Sequence, residues 1–194
     1  MIDPNFIEQR VKRGIEAKEK VSTYFSNLSI EQFNWKPSDE KWSIAECIQH
    51  LLIADQCYFK DLTEIGNGLY QMTPWERYSP LTRVWGKFLK DQMKEIVKKK
   101  LVTHKLLTPT SSAYSLALLT DYNDNLSSFI KLVRYCKNVD LDRTVINSPT
   151  IKWITYSLRD ALEFLFEHEH RHLNQAISLM NMEGFPKANN KKNL

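Results

Sequence analysis

The sequence predicts an all-α protein, a four-helix bundle with one extended connection. Three observations favour this fold. Apolar residues recur at helical spacing in four long segments, capping signals precede several of them, and only 5 of the 194 residues are glycine. No segment shows the strict apolar–polar alternation of a half-buried strand. The sequence therefore favours helices packed on helices over a sheet architecture.

In the N-terminal half, local signals mark where the helices begin and end. The predicted helices there are Pro4–Leu28, Ser29–Trp35 and Ile44–Ile65. Asp3 is a suitable N-cap for the first because Pro4 occupies the first helical position. Ser43 and Glu46 form a capping box before the third helix, which Gly66 is expected to stop.

The C-terminal half shows the same kinds of signal with longer interruptions. The predicted helices there are Leu81–Lys100, Ser112–Cys136 and Ser157–Met182. Ser157 and Asp160 form the capping signal of the last helix, and Gly184 followed by Pro186 closes it. The stretch 138–153 is expected to be irregular, with a short extended piece at Ile151–Ile154.

Composition indicates one globular domain, residues 1–185, followed by a flexible basic tail, residues 186–194. Apolar residues make up 42% and charged residues 26% of the chain. The formal net charge is +4, and much of the excess lies in the tail and in Lys87–Lys105. These lysines are not interleaved with aromatic residues, and the sequence has no known nucleic-acid-binding motif. They therefore predict a solvated face and no nucleic-acid partner.

The cysteines and the termini suggest a cytoplasmic protein. Cys47, Cys57 and Cys136 are odd in number and lack metal-ligand spacing, so they are expected to be buried thiols in a reducing compartment. The first ten residues lack the basic and apolar regions of a secretory signal. No apolar run is long enough for a membrane span, and no membrane partner is expected.

Three histidines are the candidate functional residues. His168 and His172 are separated by one helical turn and therefore lie on the same face, within an apolar stripe. His50 lies on a similar stripe of an earlier helix. Buried imidazoles without partners would cost about 1–3 kcal/mol each. We therefore expect the three imidazoles to share a divalent metal and to leave one coordination position open.

The neighbouring polar residues of the last helix are expected to have lesser roles. His170 lies about 200° around the helix from His168 and is expected to face solvent. Glu169 is likewise expected to face solvent rather than to orient a ligand imidazole. Gln175, one turn after His172, is a candidate for supporting the metal ligands or for a surface amide.

The segment His168–His172 also matches the H-E-x-x-H motif of zinc proteases. A metzincin would require Gly at Gln175 and His at Ser178, and Glu183 is too close to be a thermolysin-type third ligand. A di-iron bundle would require E-x-x-H motifs on two helices, and His50 has no such motif around it. Both alternatives are therefore disfavoured.

The chain resembles the DinB-like (DinB/YfiT) superfamily of metal-dependent enzymes. Three stretches carry the resemblance, and they agree in order and spacing: the N-W-K-P…K-W-S-I-A-E entry to the helix at Ile44, the His50–Leu51 pair, and H-x-x-x-H-x-x-Q from His168 to Gln175. One departure is Leu173, where many members have Arg.

The resemblance implies a four-helix bundle with a long crossover connection between the second and third helices, and a three-His site of His50, His168 and His172. It implies a divalent ion, most commonly Zn or Ni with Fe or Mn as further candidates, and a homodimer. It also implies a transferase that uses a low-molecular-weight thiol such as bacillithiol. The residues themselves leave open a non-catalytic metal or small-molecule sensor, a metal-dependent hydrolase, or a structural bundle in which the three histidines form hydrogen bonds without a metal. The aromatic loop Tyr70–Tyr78 is a candidate roof for the site or part of the core.

Overall fold

The computed structural model describes residues 1–92 and 103–187, and these residues are mostly helical. Helices α1 to α7 are, in order, Pro4–Phe25, Ile30–Asn34, Ile44–Gly66, Pro74–Tyr78, Thr82–Gln92, Ala117–Tyr135 and Leu158–Leu179. Strands β1 (Val145–Asn147) and β2 (Thr155–Ser157) form an antiparallel pair. The end of the predicted helix Leu81–Lys100, and most of the predicted basic tail, lie outside the described residues.

The predicted capping signals begin the helices as expected. Asp3 accepts a hydrogen bond from Phe6 N at 3.0 Å, and Ser43 forms a complete capping box with Glu46. Each cap satisfies backbone donors that the first helical turn leaves without partners. These local bonds fix where α3 begins and hence which of its residues face the interior.

Four long helices surround the main core. α1 and α3 each pack against both α6 and α7. Large side chains fill the space between them and are less than 2% exposed; they include Phe25, Phe33, Leu51, Phe129 and Phe166. A Cβ at Gly14 of α1 would lie 2.7 Å from Ile130 and 2.9 Å from Phe166. This glycine therefore permits the close approach of α1 to α6 and α7.

The connection between α3 and α6 contains structure that the sequence did not predict. Thr73 and Glu76 form a capping box that opens the short helix α4 within the predicted aromatic loop. Trp75 of α4 donates from Nε1 to Trp153 O at 2.9 Å, which ties the connection to the β1–β2 turn. α5 packs against α7, where Lys90 pairs with Asp160 at 2.7 Å.

The extended piece predicted at Ile151–Ile154 is misplaced. Residues 145–147 and 155–157 instead form the two strands, and residues 148–154 form the turn between them. Ile146 and Tyr156, which face each other in the register, are both 0% exposed. Burial of this pair, which is a tertiary effect, outweighs the weak local pattern. No described helix is both long enough and apolar enough to cross a membrane.

Candidate metal centre

The three predicted histidines come together between α3 and α7. One ring nitrogen of each of His50, His168 and His172 lies within 4.8 Å of the corresponding nitrogens of the other two. The ring centroids are 4.6 to 4.9 Å apart in all three pairs. We call these residues the imidazole cluster. The i,i+4 spacing stacks His168 and His172 on one face of α7, and His50 faces them from α3.

The separations suit a shared divalent ion. Nε2 of His50 lies 3.0 Å from Nε2 of His168. Two imidazole nitrogens bound tetrahedrally to zinc would be about 3.4 Å apart, given Zn–N distances of about 2.0–2.1 Å. The two rings are therefore within a few tenths of an ångström of a ligating arrangement.

The tautomer of His50 follows from its second hydrogen bond. Its Nδ1 lies 2.7 Å from Leu107 O, and a carbonyl oxygen can only accept. Nδ1 therefore carries the proton, and Nε2 directs a lone pair towards His168. A backbone carbonyl on the outer nitrogen is the usual way in which proteins orient a metal-ligating imidazole.

The environment keeps the cluster neutral. Burial lowers the pKa of His172 to about 3, and the charges of His50 and Arg171 act in the same direction. Burial also lowers the pKa of His168 well below its ordinary value, and lowers that of His50. Neutral imidazoles are the form that binds metals.

One nitrogen of the cluster has no partner. Nδ1 of His172 is buried and has no hydrogen-bond partner among the described residues. An orphaned buried nitrogen costs about 1–3 kcal/mol. Three neutral nitrogen donors, one oriented by Leu107 and one unsatisfied, fit a divalent ion held by imidazoles alone.

Trp42 covers the cluster. Its ring lies 4.9 Å from the ring of His50 and 5.8 Å from that of His172, centroid to centroid. In the sequence, Trp42 belongs to the K-W-S-I-A-E entry to the helix at Ile44 and was not among the candidate site residues. The loop Tyr70–Tyr78, considered as a roof, instead contacts the β1–β2 turn through Trp75. The position of Trp42 next to the Ser43 cap was the signal that could have indicated its place.

Gln175 lies beside His172 on the surface of α7. Gln175 acts on the pKa of His172 in the direction opposite to burial and raises it. The residue itself is exposed. Its role in supporting a metal ligand stays a prediction.

The expectations for His170 and Glu169 are wrong. His170 is 5% exposed, and its Nε2 donates to Arg13 O at 2.9 Å. Glu169 is 1% exposed. α1 packs against α7 and so covers a face that an isolated helix would expose to solvent. Helical periodicity gave the angle between these residues correctly but could not show how many sides of α7 are covered.

Glu169 belongs to a second buried polar group between α3, α6 and α7. The Tyr122 hydroxyl donates to Glu169, and Asn125 donates to Asp55 at 3.3 Å. Burial raises the pKa of Asp55 well above its ordinary value and that of Glu169 to about 7. A proton retained on Asp55 provides a further donor to Glu169. We call Asp55 and Glu169 the carboxyl pair.

Two of the three cysteines are buried as the sequence predicted. Cys47 and Cys136 are 0% exposed, Cys57 is partly buried, and all three are free thiols. Burial raises the pKa of Cys47 to about 12, so it remains a neutral thiol at physiological pH. Cys47 therefore acts as a small core residue.

Comparison with known proteins identifies the family. No curated protein and no solved structure matches the chain. The model of the DinB superfamily matches residues 15–176. The match includes all three residues of the imidazole cluster. The chain belongs to the DinB superfamily.

Proposed function

We propose that the protein is a metal-dependent transferase in which His50, His168 and His172 hold a divalent ion. The reaction is the transfer of a low-molecular-weight thiol, of the bacillithiol type, to an electrophile. Membership of the DinB superfamily and the convergence of three imidazoles support the proposal. An all-imidazole donor set suits Zn, Ni or Fe. Mn is a further candidate that rests on the family resemblance.

The observation that carries the proposal is the convergence of three neutral imidazoles around one point. Nε2 of His50 points inward because Leu107 O holds Nδ1 outward. A divalent ion bound by three neutral ligands retains its double charge, and it would lower the pKa of a thiol or a water at the open position.

The chain's own residues orient the ligands and limit the access of water. Trp42 lies over two of the imidazoles and excludes water from that side of the cluster. In the overall reaction with an epoxide, the thiol sulfur forms a bond to carbon and the carbon–oxygen bond breaks. The proton lost by the thiol is returned to that oxygen.

The proposal includes the topology and the assembly. We propose that α1, α3, α6 and α7 form a four-helix bundle in which the connection from α3 to α6 is the long crossover. The packing of α1 and α3 against both α6 and α7 supports this arrangement. We also propose a homodimer and a cytoplasmic location.

Metal analysis tests the site directly. Wild-type protein, purified without added metal or reconstituted with Zn or Ni, is expected to carry about one ion per chain. His168→Ala is expected to lose most of that ion. The matched control is His170→Gln, on the same helix and buried but outside the cluster. Equal metal content in all three proteins would contradict the site.

A thiol-consumption assay tests the reaction. The metal-loaded protein is mixed with bacillithiol and an epoxide or an activated aromatic ring, and free thiol is measured over time. Consumption above background that disappears in His168→Ala supports the transferase. Metal binding without consumption favours a metal or small-molecule sensor. Metal-dependent hydrolysis of an ester in place of thiol transfer would favour a hydrolase.

A further inference from the structure

A second cavity lies outside the metal centre. Its volume is about 750 Å³, and its wall comes from α4, α5, the strands and the start of α7. No residue of the imidazole cluster lines it. The volume is within the range of about 300–1,000 Å³ that small-molecule sites occupy. Four arginines line the wall: Arg77, Arg83, Arg143 and Arg159.

Two of the three carboxylates in the wall are already paired. Asp142 accepts from Arg159 at 2.7 Å, and that hydrogen bond holds the pKa of Asp142 at about 2. The N-terminal ammonium of Met1 is also bonded to Asp142, at 2.8 Å. Asp160 pairs with Lys90 at 2.7 Å. Neither carboxylate therefore neutralises the remaining arginines.

The third carboxylate, Glu76, is bound by local donors. It is 4% exposed and accepts from the Tyr70 hydroxyl at 2.8 Å. It also accepts from the backbone and hydroxyl of Thr73, at 2.7 and 2.9 Å. These bonds direct its oxygens to α4 and the preceding loop.

Three of the arginines have guanidinium groups free for a ligand. Arg77 and Arg83 form no ion pair with any residue in the described ranges, and Arg143 has only a 4.0 Å contact with Asp140. Guanidinium groups bind phosphate and carboxylate through paired hydrogen bonds. The wall of this one cavity therefore contains several guanidinium cations without a close carboxylate partner.

A buried hydroxyl without a hydrogen-bond partner lies between Arg77 and Arg83 in the sequence. Ser79 lines the same cavity, and its buried Oγ has no hydrogen-bond partner among the described residues. A buried hydroxyl normally has a partner. An oxyanion in the cavity would supply an acceptor once the Ser79 side chain turns its Oγ towards the cavity.

We propose that this cavity binds a small anion that carries a phosphoryl group, with Arg77 and Arg83 as its main ligands. Arg143 and the Ser79 hydroxyl complete the set of donors. A phosphoryl group presents oxygens in several directions, and it can therefore engage guanidinium groups from both α4 and α5 and the Ser79 hydroxyl at once. The site is separate from the imidazole cluster and does not depend on the function proposed above.

Isothermal titration calorimetry with inorganic pyrophosphate tests the proposal. The protein is treated with chelator and dialysed, so that no metal in the imidazole cluster can bind the probe. We expect wild-type protein to bind pyrophosphate more tightly than succinate, with an affinity that falls as salt is added. Equal binding of succinate would overturn the phosphoryl assignment, and no binding of either would overturn the site.

Matched variants localise the binding. Arg77→Gln combined with Arg83→Gln is expected to weaken binding by about tenfold, because two exposed charge-assisted contacts are lost. Lys87→Gln combined with Lys137→Gln, which likewise removes two exposed cations but outside the cavity wall, is the control and should change binding by less than about twofold. Equal weakening in both proteins would mean that net charge alone attracts the anion, and would overturn the proposal. Equal melting temperatures verify that the variants are folded.

Discussion

The imidazole cluster and the carboxyl pair are both buried between α3 and α7, but they satisfy their polar atoms differently. Tyr122 and Asn125 donate hydrogen bonds to the carboxyl pair, and the raised pKa values of the pair mean that it retains a proton. The imidazole cluster has Leu107 O as a partner for His50 but leaves Nδ1 of His172 unpaired. Within the carboxyl pair, only Oε1 of Glu169 lacks a donor among the described residues, and the proton that the pair retains can serve it. The imidazole cluster has no such internal proton to share, and its three neutral nitrogens could instead hold a metal ion.

Of the changes considered, removal of the metal from the imidazole cluster is expected to have the largest effect on the free energy of unfolding. A ligand present at about 1,000 times its Kd stabilises the folded state by about 4 kcal/mol. We expect chelator to lower the free energy of unfolding of metal-loaded wild-type protein by about this amount. Chemical denaturation with and without chelator measures it. In His168→Ala the chelator should have almost no effect, and an equal loss there would contradict the comparison.

The two groups should also respond to pH with opposite signs. Glu169 titrates at about 7 in the folded state and near 4.5 when unfolded, so the folded protein holds more protons in that interval. Its contribution to stability is present below about pH 4.5 and is lost as the pH rises to about 7. His172 titrates at about 3 when folded and near 6.5 when unfolded. Its contribution is present above about pH 6.5 and is lost as the pH falls towards 3.

Urea denaturation of metal-free protein from pH 4 to pH 7 measures these slopes. Each group contributes at most about 1.4 kcal/mol per pH unit. Glu169→Gln should reduce the loss of stability as the pH rises, and His172→Gln should reduce the loss as the pH falls, because Asp55 and the other buried histidines contribute to the same slopes. If both substitutions changed the slope in the same direction, the assignment of opposite protonation behaviour would be wrong.

Tyr122→Phe is expected to have a smaller effect, confined to the carboxyl pair. The substitution removes the hydroxyl that donates to Glu169 and leaves a buried carboxylate oxygen unsatisfied. Such a loss costs about 1–3 kcal/mol. Denaturation measures the loss, and elemental analysis should find the metal content unchanged. A loss of metal would show that the two groups are coupled.

Trp42→Phe is expected to have the smallest effect. A phenyl ring retains an aromatic face against His50 and His172. We expect a change of at most about 1 kcal/mol in metal-binding free energy, which is within the usual range for one aromatic contact. Competition with a coloured chelator measures the affinity. A much larger loss would show that Trp42 is essential for orienting the imidazoles.

Local signals predicted most of the helical framework. The Ser43–Glu46 box and the Asp3 cap placed the starts of α3 and α1, because capping depends on residues within one turn. The short strands and α4 were missed. The two strands pair across an intervening turn, and their burial depends on contacts with the rest of the chain.

The sequence by itself identified the three histidines as candidate metal ligands, since helical periodicity alone puts His168 and His172 on one face and His50 on an inward stripe. Only the tertiary structure decided what surrounds them. It directs Leu107 O to His50, covers the cluster with Trp42 and buries Glu169 against Tyr122. Periodicity describes one helix at a time, whereas the number of faces that are covered depends on how all the helices pack together.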